Sequence, residues 1–190
     1  MDKLIFFDST LRDGSHAVRH QLSAENISTY CKGIDGSGLY VAIVGHGNGL
    51  GASSLQVGLS ALADNEMLSI ARKGLKKTRL GAFLIPGFGT IKDNLGPAID
   101  LGVDLVCVAA HCTEADIAAQ HIDYVRKKGK EAYGVLMMYH MAAKERLLAE
   151  AKKMESYGAM GVLLMDSAGA SDPGKVEETV KFLSKNLNIM

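Results

Sequence analysis

The first 16 residues bring together several side chains that could do chemistry. An apolar run at residues 4–7, which predicts a buried strand, is followed directly by ionisable groups: Asp8, Arg12, Asp13 and His16. Parallel α/β folds carry their chemistry just past the carboxyl ends of the strands. A solvated loop with a surface charge cluster is the alternative, and one Asp–Arg pair alone would not exclude it.

Three of these residues suit particular roles. Asp13 is the metal-ligand candidate, because hard divalent cations prefer carboxylate oxygens, although it could instead pair with Arg12 or cap a turn. The planar guanidinium of Arg12 suits a carboxylate or a developing enolate. His16, three residues beyond Asp13, is a candidate general base at neutral pH, with a polar surface position as the alternative.

Six apolar segments alternate with six segments of helical spacing along the chain. The strands are predicted at residues 4–7, 39–44, 80–85, 103–109, 132–138 and 161–165, and the helices at 24–37, 61–75, 91–101, 114–128, 142–157 and 173–187. Apolar strands joined by crossover helices predict an α/β fold with a parallel sheet and outer helices. The sheet is then either open and doubly wound or part of a TIM-type barrel, which needs eight units and about 250 residues.

Helix boundaries carry capping signals at three places. Ser23 precedes the first helix with Asn26 three residues on, and Thr113 precedes Glu114 at the fourth. Asp172 before a proline predicts the start of the last helix.

Polar side chains also follow the later strands. They are His46 and Asn48 after the second strand, Pro86 after the third, His111 after the fourth, His140 after the fifth, and Asp166 and Ser167 after the sixth. Four of the six histidines therefore stand at strand ends, which predicts a polar, titratable pocket there. Cys112 beside His111 admits a catalytic thiol, with a buried structural cysteine as the simpler alternative.

Length and charge restrict the class of protein. The 190 residues predict one domain, and 21 basic residues balance 21 acidic ones, so neither nucleic acid nor an anionic membrane is an expected partner. Asp2 and Lys3 followed by only four apolar residues do not make a signal peptide, and no apolar run approaches the ~18 residues of a membrane span. With three cysteines in no paired framework, a cytoplasmic protein is predicted.

The stretch from Asp8 to His16, Asp-Ser-Thr-Leu-Arg-Asp-Gly-Ser-His, resembles the signature of a metal-dependent TIM-barrel superfamily. That superfamily contains hydroxymethylglutaryl-CoA lyase, isopropylmalate synthase and 4-hydroxy-2-oxovalerate aldolase. The synthases usually carry Gln at the position of His16, so the resemblance favours the aldolase branch. Further matching stretches lie at residues 45–50, 110–116, 136–141, 154–159 and 166–170, in the family's order.

The resemblance implies a class II pyruvate aldolase that cleaves 4-hydroxy-2-oxopentanoate, a small 2-oxo acid, to pyruvate and acetaldehyde. It implies a divalent metal, with manganese first and magnesium or cobalt as alternatives. By this resemblance Asp13 is a metal ligand, Arg12 stabilises the enolate and His16 takes the proton of the C4 hydroxyl. The pocket would be lined by His46, Asn48, His111, His140 and Ser167.

Departures from the family pattern limit these expectations. Residues 41–44 carry no carboxylate where the family has a glutamate, and Asn48 stands where the aldolases commonly have Asp. No His-x-His pair occurs in the 190 residues. Residues 1–190 are therefore expected to be a partial (β/α)8 aldolase domain of about six units. It would lack the seventh and eighth strands and the C-terminal region that docks an acylating acetaldehyde dehydrogenase.

These departures lead to three further expectations. A single carboxylate predicts weak metal binding. Unpaired strand edges predict oligomerisation. A truncation, a split protein and a degenerate homologue all fit the sequence, and a sister acyl-CoA lyase or synthase and a non-catalytic subunit of the same fold are the alternative functions.

Overall fold

The computed structural model describes residues 4–190, so Asp2 and Lys3 lie outside the described residues. Within them lie six strands, β1 Phe7–Asp8, β2 Val41–Ile43, β3 Arg79–Leu84, β4 Leu105–His111, β5 Glu131–Met137 and β6 Val162–Met165. The α-helices are α1 Ala24–Ile34, α2 Asp64–Gly74, α3 Gly96–Asp100, α4 Ala119–Lys127, α5 Lys144–Ser156 and α6 Pro173–Ser184. The predicted six-fold alternation is confirmed, and the fold class is an α/β, TIM-barrel-type repeat two units short of eight.

The chain divides into two compact units, Met1–Val106 and Cys107–Met190. The first contains β1–β3 and α1–α3, and the second contains most of β4 together with β5, β6 and α4–α6. No helix within residues 4–190 is long and apolar enough to cross a membrane.

In the first unit β2 lies between β1 and β3, and all three strands run parallel. Phe7 is in register with Val41, which in turn pairs with Arg79. All three residues of β2 are buried, and α1 packs on α2 beside the sheet. Parallel register brings the carboxyl ends of β1 and β2 to one edge, where the polar loops begin.

In the second unit β5 and β6 run parallel, with Gly134 opposite Val162 and Met137 opposite Met165. The amide that follows β4, at Cys112, donates to the carbonyl of Met137 over 3.0 Å. The five central residues of β5 are buried, whereas all four residues of β6 remain partly exposed. The β6 face is therefore the less covered part of this unit.

The predicted start of the first strand needs correction. Leu4 and Phe6 are 79% and 59% exposed, and β1 comprises only Phe7 and Asp8. The apolar run is not buried along its length, because β1 has only β2 beside it within this unit. The strand begins at Phe7, where the pairing with Val41 of β2 begins.

Two of the three predicted caps are confirmed. Ser23 accepts from the amide of Asn26 over 3.1 Å and completes a capping box, and Asp172 accepts from the amide of Lys175 over 2.8 Å. The Thr113 cap is wrong, because its hydroxyl lies 2.9 Å from the ring of His111 instead. A 3-10 helix, Ala115–Ala118, begins there without a side-chain cap.

Candidate active site

The turn after β1 is tightly wound. The amides of Arg12 and Asp13 both donate to the carbonyl of Ser9, over 3.0 and 2.7 Å, and the chain continues as a 3-10 helix, Asp13–Val18. The buried hydroxyl of Ser15 lies 2.7 Å from the carbonyl of Arg12. The turn thus fixes the residues that carry Arg12, Asp13 and His16.

Arg12 is 6% exposed, although it carries a full charge. Its guanidinium carbon lies 4.3 Å from the ring centre of Phe83, and its Nη1 donates to the carbonyl of Gly47 over 3.1 Å and to Asp13 over 3.0 Å. An aromatic face and a carbonyl oxygen both favour the cation. The buried residues of β2 hold no carboxylate, so uncharged groups take part in orienting the guanidinium.

Asp13 points largely outward, with 63% of its side chain exposed. Asp13 forms the ion pair with Arg12 that was the alternative to its role as a metal ligand. The same carboxylate keeps its second oxygen for another partner, because the contact with Arg12 involves Oδ1.

His16 is exposed, and its ring lies directly against the glycine loop at residues 45–49. A Cβ built on Gly47 would stand 2.3 Å from Nε2 of His16. The imidazole therefore occupies the space that a side chain at Gly47 would need. The carbonyl of the same glycine accepts from Arg12, so Gly47 contacts both proposed catalytic side chains.

Two further imidazoles lie beside His16. The rings of His20 and His46 stack with centroids 3.7 Å apart and planes 24° apart, and the ring of His16 meets that of His20 edge-on at 4.8 Å. His46 was expected in the pocket, whereas His20 was missed. Its position four residues after His16 was the one sequence signal that pointed to His20. The pocket residues predicted from the sequence each directly follow a predicted strand, whereas His20 does not.

Both stacked rings are held by backbone groups. His46 donates from Nε2 to the carbonyl of Gly58 over 3.1 Å and accepts at Nδ1 from the amide of Asn48 over 3.0 Å, which defines its neutral tautomer. Burial lowers the pKa of His46, and the charge of His16 lowers it further. Burial also lowers the pKa of His20, followed by the charges of His46 and His16. Both rings are therefore neutral at pH 7.

Asn48 lies half-buried and contributes its amide to His46. In the first unit Arg12 and His16 thus contact Gly47 of the glycine loop, to which His46 and Asn48 also belong.

In the second unit His111 ends β4, where its Nδ1 lies 2.9 Å from the hydroxyl of Thr113. Cys112 is fully buried, and burial raises the pKa of its thiol. Because the thiolate is the nucleophilic form, this environment favours the structural explanation of Cys112 over the catalytic one.

His140 lies in a 3-10 turn, Tyr139–Met141, with its Nδ1 2.8 Å from Oδ1 of Asp166. The amide of Ser171 lowers the pKa of Asp166, with smaller contributions from the amide of Ala170 and the charge of His140. An ionised carboxylate beside the ring forms an ion pair whenever His140 is protonated. Ser167 accepts from the amide of Met138 over 3.2 Å, so its hydroxyl oxygen supports the same loop.

A divalent metal ion requires several ligands in one place. Within residues 4–190, no three His, Cys, Asp or Glu side chains lie close enough to hold one. Asp13 fits as a single exposed carboxylate ligand, and the described residues do not complete a site around it.

Comparison with known proteins gives the family. A model of the HMGL-like family matches residues 3–190. The chain belongs to the HMGL-like family. This HMGL-like chain is 52% identical over 187 residues to 4-hydroxy-2-oxovalerate aldolase of Pectobacterium atrosepticum, covering 98% of the chain and 54% of that protein. It is 53% identical over 186 residues to the protein of that name from Spirochaeta aurantia, with the same coverage. The chain thus spans about half the length of the curated relatives it matches.

Solved structures share the fold of this HMGL-like chain. The carboxyl transferase domain of Rhizobium etli pyruvate carboxylase, solved with pyruvate and biocytin, superposes with a TM-score of 0.83 at 16% identity, over 100% of this chain and 35% of that one. The N-terminal domain of a putative aldolase from Bacteroides vulgatus gives 0.78 at 19% identity, over 98% and 62%. At these identities the likeness concerns the fold alone.

Proposed function

We propose that this chain is part of a divalent-metal-dependent class II pyruvate aldolase that cleaves 4-hydroxy-2-oxopentanoate to pyruvate and acetaldehyde. The observation that carries the proposal is the pairing of Arg12 and His16 across Gly47, in a chain about half identical to proteins named 4-hydroxy-2-oxovalerate aldolase. The buried guanidinium of Arg12 and the exposed imidazole of His16 both contact Gly47 of the glycine loop.

The cleavage needs a base and a stabilised enolate. His16 takes the proton of the C4 hydroxyl, C4 becomes the carbonyl carbon of acetaldehyde, and the electrons of the C3–C4 bond pass to the C2 oxygen. The guanidinium of Arg12 stabilises the resulting charge, and the enolate becomes pyruvate when its C3 is protonated. The orientation of Arg12 by Phe83 and Gly47 supports this role without a glutamate on β2.

Asp13 would supply one ligand of the metal, for which manganese is our first choice and magnesium or cobalt the alternatives. A divalent ion bound there supplies Lewis-acid stabilisation of negative charge on oxygen. We expect weak binding by this chain, because one carboxylate does not satisfy such an ion.

Residues 1–190 would be a partial catalytic domain, with further strands supplied by the remaining length of the relatives. His111, His140 and Ser167 would line the substrate pocket together with His46 and Asn48. We also propose self-association through the uncovered β6 face, and docking of an acylating acetaldehyde dehydrogenase by a region outside these residues. A cytoplasmic location agrees with the three cysteines, all buried and free.

The test is pyruvate release from 4-hydroxy-2-oxopentanoate with manganese present. The chain would be assayed alone and after co-production with the C-terminal half of the Pectobacterium protein. We expect release from the combined protein, and a loss of at least about 100-fold in kcat for Arg12→Ala, as for removal of one stabilising donor. A folded combination that releases no pyruvate, or that turns over hydroxymethylglutaryl-CoA instead, would reject the aldolase assignment.

A non-catalytic subunit is the second candidate, and the single carboxylate at Asp13 favours it. Calorimetry of the combined protein with manganese and oxalate, a pyruvate mimic, separates the two. Binding tighter than about millimolar would count against a non-catalytic role.

A further inference from the structure

We propose that His20 is a positioning residue, which holds the turn carrying Arg12 and His16 against the glycine loop through Ser15 and Gly47. The inference rests on the proposed function, because the two side chains being positioned are the proposed enolate stabiliser and base. No role for His20 follows from the sequence motif that identified its neighbours.

The backbone of His20 closes the turn. Its amide donates to the carbonyl of Ser15 over 2.8 Å, and its carbonyl accepts from the amide of Ala61 over 3.1 Å. Arg19 and His20 both have positive φ, at 51° and 61°, which non-glycine residues rarely adopt. The chain reverses here, and the reversal directs the ring of His20 back under the 3-10 helix.

The ring of His20 then links three segments. Its Nδ1 lies 3.0 Å from the hydroxyl of Ser15 in the turn and 3.4 Å from the amide of Gly47 in the glycine loop. The ring also lies against Gly58, where a built Cβ would stand 2.8 Å from Cδ2 of His20, and it stacks on His46. With only 7% of the residue exposed, this imidazole is held between the segments and does not face the solvent.

These contacts reach both proposed catalytic groups without His20 touching substrate. Ser15 bonds the carbonyl of Arg12, and Gly47 bonds the Arg12 guanidinium and contacts the His16 ring. Loss of the His20 ring would therefore free the turn to move relative to the loop. Displacements of about 1 Å cost on the order of 100-fold in rate for correctly aligned groups.

Two substitutions at His20 separate positioning from simple packing. His20→Ala removes the ring and its contacts at Nδ1. His20→Asn keeps a short amide whose oxygen can accept from Gly47 or whose NH2 group can donate to the hydroxyl oxygen of Ser15, and Asn tolerates positive φ. Ser15→Ala removes the hydroxyl that contacts the His20 ring and leaves the backbone reversal at residues 19 and 20 intact. His121→Asn, on α4 in the other unit, is the matched control.

In the combined protein that releases pyruvate, we expect His20→Ala to lower kcat/KM by at least about 10-fold, with kcat falling and KM rising because both groups are displaced. His20→Asn should recover most of this loss, and Ser15→Ala should show a smaller loss of the same kind. The control should match the parent protein. Equal activity of His20→Ala and the parent, or equal losses in the Ala and Asn variants, would overturn the positioning role.

A readout that needs no activity keeps this proposal separate from the aldolase assignment. NMR of the 190-residue chain should show a nuclear Overhauser contact between the His16 ring and the α protons of Gly47, as their proximity requires. The contact should disappear in folded His20→Ala and persist in His20→Asn. Its persistence in folded His20→Ala would reject positioning by His20, whereas failure to release pyruvate rejects only the aldolase assignment.

Discussion

At the scale of single residues, the site depends on where two side chains approach a backbone. Arg12 and His16 both approach Gly47 from the same turn. Arg12 donates to the carbonyl of Gly47, and the ring of His16 occupies the space where a Cβ of residue 47 would lie. Gly47 has no positive φ, so an alanine would fit its backbone. What it cannot accommodate is the imidazole and a Cβ together.

Gly47→Ala should therefore impair the site more than the fold. The Cβ would meet the far end of the His16 side chain, which can rotate away, so we expect a loss of stability of less than about 1 kcal/mol. The combined protein should lose about 10-fold or more in kcat/KM. Urea unfolding and steady-state kinetics measure the two effects.

Gly33→Ala is the matched control for this substitution. Gly33 lies in α1 with no atom within 4 Å of a built Cβ, so alanine should stabilise the helix by about 0.5–1 kcal/mol and leave activity unchanged. An active Gly47→Ala protein would show that the His16 ring can leave the glycine loop without consequence.

His46 gives a second prediction at this scale. Burial holds its pKa below the ordinary value of 6.5 in the folded protein. As the pH falls below about 6.5, the unfolded chain takes up a proton that the folded chain does not. The free energy of unfolding should therefore decrease from pH 6.5 down to the lowered pKa of the folded state.

Urea unfolding at about pH 7.5 and about pH 5.5 checks this, with His46→Gln as the comparison. Glutamine keeps a donor for Gly58 and has no ionisable ring. Its loss of stability on acidification should be smaller than that of the parent. Equal losses in the two proteins would contradict the assignment of this pH dependence to His46.

At the scale of elements, α5 fastens the loop that follows β4. Glu150 on α5 is 1% exposed and accepts from the amide of Ala115 over 2.9 Å. It pairs with Arg146 at 2.8 Å and Lys153 at 3.0 Å, and Arg146 also donates to the carbonyl of Thr113. The loop carrying His111 is thereby tied to a helix in its own unit.

Glu150→Ala should destabilise the chain by about 2 kcal/mol, because it leaves the buried amide of Ala115 without its acceptor. Urea unfolding monitored by circular dichroism measures the change. Glu145→Gln, exposed on the same helix, should alter stability by less than about 0.5 kcal/mol. A small effect of Glu150→Ala would mean that the loop is held by other contacts.

The sequence predicted the repeating elements well, because apolar strands and helix caps are local patterns. It also singled out Arg12, Asp13 and His16, since all three lie in one short motif. The contacts of Phe83 with Arg12 and of His20 with His46 were not predictable, because each joins segments far apart in the sequence. Thr113 was mistaken for a cap because its competing partner, His111, depends on how the end of β4 turns.

At the scale of the whole molecule, the second unit leaves apolar surface exposed, and the chain spans about half the length of its relatives. A cavity of about 530 Å³ in the second unit is lined by β6, α6 and the last residues, and Val176 and Val180 remain 42% and 49% exposed. Exposed apolar surface of this kind favours association.

Val180→Glu should therefore reduce self-association of the 190-residue chain, because a carboxylate in the apolar cavity opposes burial. Sedimentation velocity at several concentrations measures the change. Leu55→Glu, at an isolated residue that is 88% exposed in the other unit, is the control and should behave like the parent. A parent chain that is monomeric at all concentrations would refute association through the β6 face.

The brevity of β1 has a consequence for motion. A two-residue strand supplies few backbone hydrogen bonds, so amide protons near Phe7 and Asp8 should exchange with deuterium sooner than those of β3 or β5. The turn that follows is retained by side-chain contacts made by Arg12, Ser15 and His20. We therefore expect the turn to open as a local unit while the rest of the sheet stays closed, and binding of the proposed oxo acid substrate at Arg12 would slow that opening.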